Sequence, residues 1–159
     1  MEKYIYGFDL SMSNTGISIF DLQGNFIKVC SVATKDRDSH GKRLKVIADY
    51  ILELKEIYPA KIIVIERAFS RFNTATAVIF RVHGLVQYLF HDTIQIYYPP
   101  KLIKAELLGG KATKKQIQDE IIRRYPDIKF ENEDESDAMS VSLTYFARRN
   151  KGLEVNICQ

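Results

Sequence analysis

The fold is decided by residues 3–32, which read KYIYGFDLSMSNTGISIFDLQGNFIKVCSV. Their apolar and β-branched residues predict three successive strands, at 3–10, 15–22 and 26–32. Gln23-Gly24-Asn25 lies between the last two strands and is typical of a tight hairpin turn. A group of strands therefore begins the chain, and the first of them ends at an acid, Asp9.

The rest of the chain alternates between helix and strand. Ser39 can cap a helix that runs to about Tyr58, and the short apolar segment 61–66 is typical of a strand buried on both faces. The other predicted elements are a helix from about Asn73 to Phe90, a strand at 94–98, and helices near 100–108, 113–125 and 135–149. This order predicts an α/β fold in which a mixed five-stranded sheet carries helices on both faces.

Length and composition limit the class of protein. At 159 residues the chain is expected to form a single domain, 1–159. No segment resembles a signal peptide, and no apolar run approaches the ~18–20 residues that span a membrane. The two cysteines, Cys30 and Cys158, do not have metal-ligand spacing and suggest a reduced intracellular setting. We therefore expect a cytoplasmic protein without a membrane partner.

Charge is unevenly distributed, although the net charge is only +3. Between Arg67 and His91 there are three arginines, two histidines and no acid. From Pro99 to Tyr125 there are seven Lys or Arg against three acids, a surplus of 7 − 3 = +4, whereas 131–137 holds five acids. Two basic tracts around an acidic segment suit a polyanion bound beside metal ions. Ordinary solvated helix surfaces are the alternative for any single lysine.

Four acids stand where predicted elements begin or end. Asp9 and Glu66 each end an apolar strand, and Asp134 and Asp137 project from one face of a helix because they are three residues apart. A carboxylate at the end of a buried strand carries a desolvation penalty that a bound cation can offset. Hard oxygen ligands select Mg²⁺ or Mn²⁺ over zinc. The pattern indicates magnesium-dependent phosphodiester chemistry.

Each acid also has a purely structural interpretation. Asp9 could cap a turn, and Glu66 could form an ion pair with Arg67 or Arg71. The two later acids could simply favour a helix N-terminus. The joint placement of all four acids argues for a functional site.

These motifs, in this order, resemble the RuvC-type Holliday-junction resolvases of the RNase H-like superfamily, over nearly the whole chain. The segments that carry the resemblance are Gly7-Phe8-Asp9 with Thr15-Gly16, Ile65-Glu66-Arg67-Ala68-Phe69, Pro100-Lys101-Leu102-Ile103-Lys104, Lys114-Lys115-Gln116-Ile117 and Asp134-Glu135-Ser136-Asp137-Ala138. Bacterial members usually have Pro-Gly after the first Asp, where this chain has Leu10-Ser11. In that respect it resembles the divergent phage members.

The resemblance implies roles for individual residues. Asp9, Glu66, Asp134 and Asp137 would bind two Mg²⁺ ions, with Mn²⁺ able to substitute. One ion would activate water, and the other would stabilise the leaving 3′ oxygen. Lys104 and Lys114 would act at the scissile phosphate. The residues expected to contact DNA are Phe69, which would wedge against bases unless it is an ordinary core aromatic, and Arg71, Arg81, Lys101, Lys111 and Lys115.

The implied activity is symmetric nicking of Holliday junctions and other branched DNA, in recombination or phage DNA processing. It would take place in the cytoplasm of a bacterial or phage-infected bacterial cell. The resemblance also implies a homodimer. Its surface would come from the helix at 73–90, whose apolar residues are Ala77, Val78, Phe80, Val82, Leu85, Val86 and Leu89. A monomer with that helix fully buried is the alternative.

Three other functions remain open at the level of sequence. An RNase H-like nuclease could cleave RNA–DNA hybrids instead. The segment from Asp9 to Gly16 also resembles the phosphate loop of actin and sugar-kinase ATPases, although those proteins have two such domains. A non-catalytic DNA-binding module is disfavoured because all four acids are present.

Overall fold

Five strands form one mixed sheet in the order β3-β2-β1-β4-β5 in the computed structural model, which describes residues 1–68 and 74–154. The strands are β1 (Tyr4–Asp9), β2 (Asn14–Asp21), β3 (Phe26–Ala33), β4 (Ala60–Glu66) and β5 (Ile94–Tyr98). The first three strands pair antiparallel, whereas β4 pairs parallel with both β1 and β5. The predicted mixed sheet is confirmed.

The helices also follow the predicted order. They are α1 (His40–Ile57), α2 (Thr74–Leu89), α3 (Pro100–Leu108), α4 (Lys114–Arg124) and α5 (Glu133–Asn150). Ser39 is the N-cap of α1, as predicted, because its side chain accepts a hydrogen bond from the Lys42 amide. The predicted start of the last helix at 135 is wrong by two residues. Asn132 caps α5 by accepting from the Glu135 amide, and Asp134 therefore lies inside the helix.

Helices cover both faces of the sheet because the central strands are apolar on both sides. In β4, Ile63 and Ile65 pack in a cluster with α1 and α2, whereas Ile62 and Val64 pack in a second cluster with α3, α4 and α5. All four side chains are fully buried. Burial of each such side chain stabilises the fold by roughly 1.5–3 kcal/mol. The two clusters fix the strand ends between two layers of helices.

Two glycines allow α5 to lie directly on the sheet. A Cβ atom at Gly7 would lie 2.5 Å from the Ala138 carbonyl oxygen, and one at Gly16 would lie 2.0 Å from the Asp134 carbonyl oxygen. Ser18 occupies the same contact and donates from its hydroxyl to the Ala138 carbonyl at 2.8 Å. The backbone of α5 is therefore held against β1 and β2.

Helix α2 exposes fewer of its apolar residues than the sequence predicted. Val82 and Val86 are fully buried in the cluster with α1, so their assignment to a dimer surface is wrong. Val78, Leu85 and Leu89 are partly buried against the same cluster. The exposed residues that share one face of α2 are Ala77, Phe80, Arg81, Gly84 and Tyr88. Within the two described ranges, no helix is both long and apolar enough to cross a membrane.

Candidate active site

Asp9 and Glu66 stand side by side at the ends of two neighbouring strands. Strands β1 and β4 run parallel, and Phe8 pairs with Ile65 in their register. The next residue in each strand is an acid, so both carboxylates emerge at the same edge of the sheet. Both are half-buried. The two acids meet because their strands are neighbours in the sheet.

Helix α5 brings the second pair of acids to the same place. Asp134 and Asp137 lie in its first two turns and are half-buried. Together with Asp9 and Glu66 they line a cleft of about 250 Å³. Lys104 from α3 and Lys114 from α4 line the same cleft. The six residues that the sequence nominated for catalysis thus lie in one cleft, although they come from five different elements.

The carboxylates of this cleft disfavour one another's charge. Burial, and then the negative charges of Asp137, Glu66 and Asp134, raise the pKa of Asp9 from 3.8 to about 8. Burial and Asp137 likewise raise the pKa of Glu66, whereas Lys114 and Lys104 act in the opposite direction. The two lysines do not offset the acids fully. A divalent cation with a preference for oxygen ligands fits this donor set.

Two of the four acids have protein partners. The Lys114 ammonium lies 2.7 Å from Asp137 Oδ2, and this contact is the main reason that the pKa of Lys114 is raised. The Asn14 amide donates to Asp134 Oδ2 at 2.6 Å. Among residues 1–68 and 74–154, no three His, Cys, Asp or Glu side chains are gathered closely enough to hold an ion. The four acids offer the oxygen donors that a divalent metal prefers. In this arrangement they are too far apart to surround one ion together, so some of their side chains would have to move to do so.

The expected DNA contacts are more dispersed than the catalytic residues. Lys115 borders the cleft, in an adjoining cavity that it shares with Lys114 and Asp137. Lys101 is exposed on α3, and Lys111 is exposed in the loop between α3 and α4, beside Arg123. Arg81 is exposed on α2 and contacts the ring of His40. Phe69 and Arg71 lie outside the described residues.

The sequence patterns did not identify Asn14 or Glu133. Asn14 begins β2, and its contact with Asp134 joins residues 120 positions apart. Glu133 also lines the cleft, one residue before Asp134. The density of acids at 131–137 was a signal for Glu133, whereas the sequence gives no comparable signal for Asn14.

The family model described as crossover junction endodeoxyribonuclease RuvC matches residues 5–145. A crossover junction endodeoxyribonuclease RuvC from Chromobacterium violaceum is 27% identical over 152 residues, which span 91% of this chain and 86% of the relative. The protein of the same name from Dictyoglomus thermophilum is 26% identical, over 91% of this chain and 97% of the relative.

Solved structures agree on the fold. The RuvC of T. thermophilus in complex with a Holliday junction substrate superposes with a TM-score of 0.82 at 15% identity, covering 95% of this chain and 97% of that one. The yeast mitochondrial Holliday junction resolvase Ydc2 gives a TM-score of 0.63 at 11% identity, over 94% and 82% of the two chains. The RNase H-like architecture is thereby confirmed. With the family model spanning most of the chain, the protein belongs to the RuvC family of crossover junction endodeoxyribonucleases.

Proposed function

We propose that this protein is a divalent-metal-dependent endonuclease that resolves Holliday junctions. Membership of the RuvC family supports the reaction and the substrate. The observation that carries the proposal for this chain is the cleft itself. Four carboxylates and two lysines line one cavity of about 250 Å³ at the edge of the sheet.

Asp9, Glu66, Asp134 and Asp137 are the proposed metal ligands, with Mg²⁺ as the ion and Mn²⁺ able to replace it. All four supply only hard oxygen donors. When bound, divalent ions supply activation of a water molecule and charge stabilisation of the leaving oxygen. The chain itself contributes by holding the four ligands in position. Strands β1 and β4 hold the first two ligands rigidly, and α5 holds the other two on one helix face.

The two lysines are proposed to hold the scissile phosphate. Lys114 is paired with Asp137, and a metal on that carboxylate would free its ammonium to contact a phosphate oxygen. Lys104 approaches from α3 on the side of Glu66, where its charge opposes part of the rise in the pKa of that carboxyl. The cleft would thus present a cation to the phosphate from each of two helices.

A homodimer is proposed to form through the exposed face of α2. The side chain of Phe80 is 50% exposed and that of Tyr88 is 74% exposed, with the small residues Ala77 and Gly84 beside them. Exposed aromatic residues next to small ones favour close packing of a second helix. A two-fold dimer would present two active sites to the two opposed strands of a four-way junction.

The whole chain is proposed to act as one nuclease domain in the cytoplasm, where bacterial DNA lies. Both apolar clusters pack on the same sheet, which supports a single domain. The direct test uses three DNA substrates: a four-way junction, a linear duplex of the same sequence and an RNA–DNA hybrid, each with and without Mg²⁺. We expect paired nicks in the junction alone, and only with the metal. Cleavage of the hybrid in preference to the junction would contradict the proposal.

A further inference from the structure

The side chain of Asp134 is held by a residue from a distant part of the chain. The Asn14 side-chain amide donates to Asp134 Oδ2 at 2.6 Å, and both side chains are half-buried. An amide that donates to one carboxylate oxygen leaves the other oxygen of that carboxylate available to a cation. The bond therefore orients a proposed metal ligand and still leaves it able to bind the ion.

Strand β2 directs this contact towards α5. Asn14, Gly16 and Ser18 alternate along the strand and therefore face the same side of the sheet. Gly16 lies against the Asp134 carbonyl group, and Ser18 donates to the carbonyl group of Ala138. The backbone at Asp134 is thus held by the close contact at Gly16, whereas its side chain is held by Asn14.

The loop between β1 and β2 in turn holds Asn14. The Ser11 hydroxyl donates to the Asn14 carbonyl at 2.7 Å and accepts from the Asn14 backbone amide at 3.0 Å. The hydroxyl of the buried Thr15 donates to the Ser11 carbonyl at 2.7 Å. This loop directly follows Asp9, so it links two of the proposed metal ligands, Asp9 and Asp134.

Ser11 stands where bacterial members of the family usually have a glycine. A glycine has no hydroxyl group and could form neither of these bonds to Asn14. Ser13 gives a comparison within the same loop, because it is exposed and its hydroxyl accepts from the Arg43 guanidinium at 3.3 Å. Neither Ser13 nor Arg43 is among the residues that line the cleft. The bonds of Ser11 therefore reach the acids of the cleft through Asn14, whereas those of Ser13 do not.

We propose that Asn14, held by Ser11, is a positioning residue of the nuclease site, and that its amide keeps the Asp134 carboxylate oriented to bind the metal. In this role Asn14 acts only through Asp134. The inference rests on the proposed function, because it assigns a partner to one of the proposed metal ligands. Residues that hydrogen-bond to metal ligands typically contribute roughly 10–100-fold to metal affinity or activity, because they hold the ligand in the orientation that binds the ion.

The first test measures metal binding by the protein in the absence of DNA. Mn²⁺ is titrated calorimetrically into the wild type, into Asn14→Leu, whose side chain is of similar size but has no donor, and into Asn14→Gln, which keeps the amide. We expect Asn14→Leu to bind Mn²⁺ about tenfold or more weakly, and Asn14→Gln to regain part of that affinity. Ser13→Ala is the control and should match the wild type.

Cleavage of a four-way junction gives a second measurement. The Mg²⁺ concentration that supports half of the maximal single-turnover rate should rise by a similar factor in Asn14→Leu and stay unchanged in Ser13→Ala. Ser11→Gly should raise it by a smaller factor. Adding Ser11→Gly to Asn14→Leu should cause no further rise, because Ser11 acts through Asn14.

Thermal unfolding of each variant separates these effects from loss of the fold, and Asn14→Ala replaces Asn14→Leu if the latter does not fold. A folded Asn14→Leu or Asn14→Ala protein with the metal affinity and Mg²⁺ requirement of the wild type would overturn the inference. An equal loss in Ser13→Ala would also overturn it, because the loop as a whole would then be responsible.

A wild type that neither binds Mn²⁺ nor cleaves the junction would instead contradict the proposed function. The positioning role is then tested by metal-free crystal structures of the wild type and Asn14→Leu. An Asp134 carboxylate that turns away from its wild-type orientation in the variant would support the inference, and an unchanged orientation would overturn it.

Discussion

Gly16 lies so close to Asp134 that a Cβ atom in its place would be 2.0 Å from the Asp134 carbonyl oxygen. The contact joins β2 to the first turn of α5, the turn from which Asp134 enters the cleft. A methyl group at this position must displace the helix, because the atoms it meets belong to the backbone and cannot rotate away. The position of Asp134, a proposed metal ligand, thus depends on residue 16 being a glycine, which has no Cβ atom.

Gly16→Ala should therefore lose cleavage activity. We expect a rate at least about 100-fold below that of the wild type, because displacement of a catalytic group by ~1 Å has that effect. Stability should fall by roughly 1–3 kcal/mol, as in other overpacked cores. Gly41→Ala is the control, since nothing lies within 4 Å of that position in α1. Wild-type nicking rates in a folded Gly16→Ala protein would show that the position of Asp134 does not depend on the contact at Gly16.

Asp9→Asn and Glu66→Gln should abolish cleavage while leaving junction binding largely intact. Each substitution removes a metal ligand but leaves the basic surface of α3 and α4 unchanged. Paired gel-shift and nicking assays measure the two properties separately. Near-normal cleavage by either variant would exclude the proposed metal site.

The metal-free protein should become less stable as the pH rises from about 4 to about 8. The pKa of Asp9 is raised to about 8 in the folded protein, so over this range the folded state binds more protons than the unfolded state. Asp9→Asn removes this penalty. In the presence of a chelator, its melting temperature at pH 9 should exceed that of the wild type, by about 2–4 °C for each kcal/mol gained.

Two controls identify the source of that effect. The difference between Asp9→Asn and the wild type should vanish well below pH 3.8, where the Asp9 carboxyl is protonated in both the folded and the unfolded protein. Asp127→Asn, at an exposed position, should match the wild type throughout. Added Mg²⁺ should raise the melting temperature of the wild type more than that of Asp9→Asn. A wild type that is the more stable at pH 9 without metal would contradict the raised pKa.

Lys114→Met and Lys104→Met should slow cleavage more than they weaken junction binding. Both side chains line the cleft, where a cation acts on the phosphate that reacts. Lys101→Met is the contrasting variant, because Lys101 is exposed on α3 outside the cleft. It should lower affinity and reduce the slope of log affinity against log salt by roughly one unit. An unchanged single-turnover rate in Lys114→Met would assign that lysine to binding alone.

Phe80→Asp and Tyr88→Asp should yield monomers that nick junctions without pairing the cuts. Both side chains are exposed on α2, so a charge there opposes association without entering the core. Val78 and Leu85 are unsuitable for this test because they pack against the buried cluster. Ile57→Asp, at an apolar position that is 65% exposed at the end of α1, is the control. Light scattering gives the mass. A wild type that stays monomeric on junction DNA would refute the dimer.

Periodicity predicted the strands and helices because each of them buries a regular set of side chains. The apolar segment that ends at Glu66 predicted a strand covered on both faces, but its place beside the strand that ends at Asp9 came from the structure. The four acids could be proposed as a group because each of them stands near an end of a predicted element.

Contacts that depend on the orientation of one helix were not predictable. Apolar residues occur all around α2, so its sequence did not distinguish the buried Val82 from the exposed Phe80. In the sequence, His83 counted only as part of the basic tract between Arg67 and His91. In the structure it is buried and lines a cavity with Asp9 and Glu66. The bond from Asn14 to Asp134 depends on the loop before β2 and on the close contact at Gly16, neither of which leaves a periodic pattern.

The cleft draws its acids from opposite ends of the polypeptide, with Asp9 in the first strand and Asp137 in the last helix. A growing chain on the ribosome can pair β1 with β2 early, yet it lacks two of the four proposed metal ligands, Asp134 and Asp137, until α5 has emerged. Helix α5 also supplies much of one apolar cluster. The fold and the proposed metal site are therefore completed by the same helix.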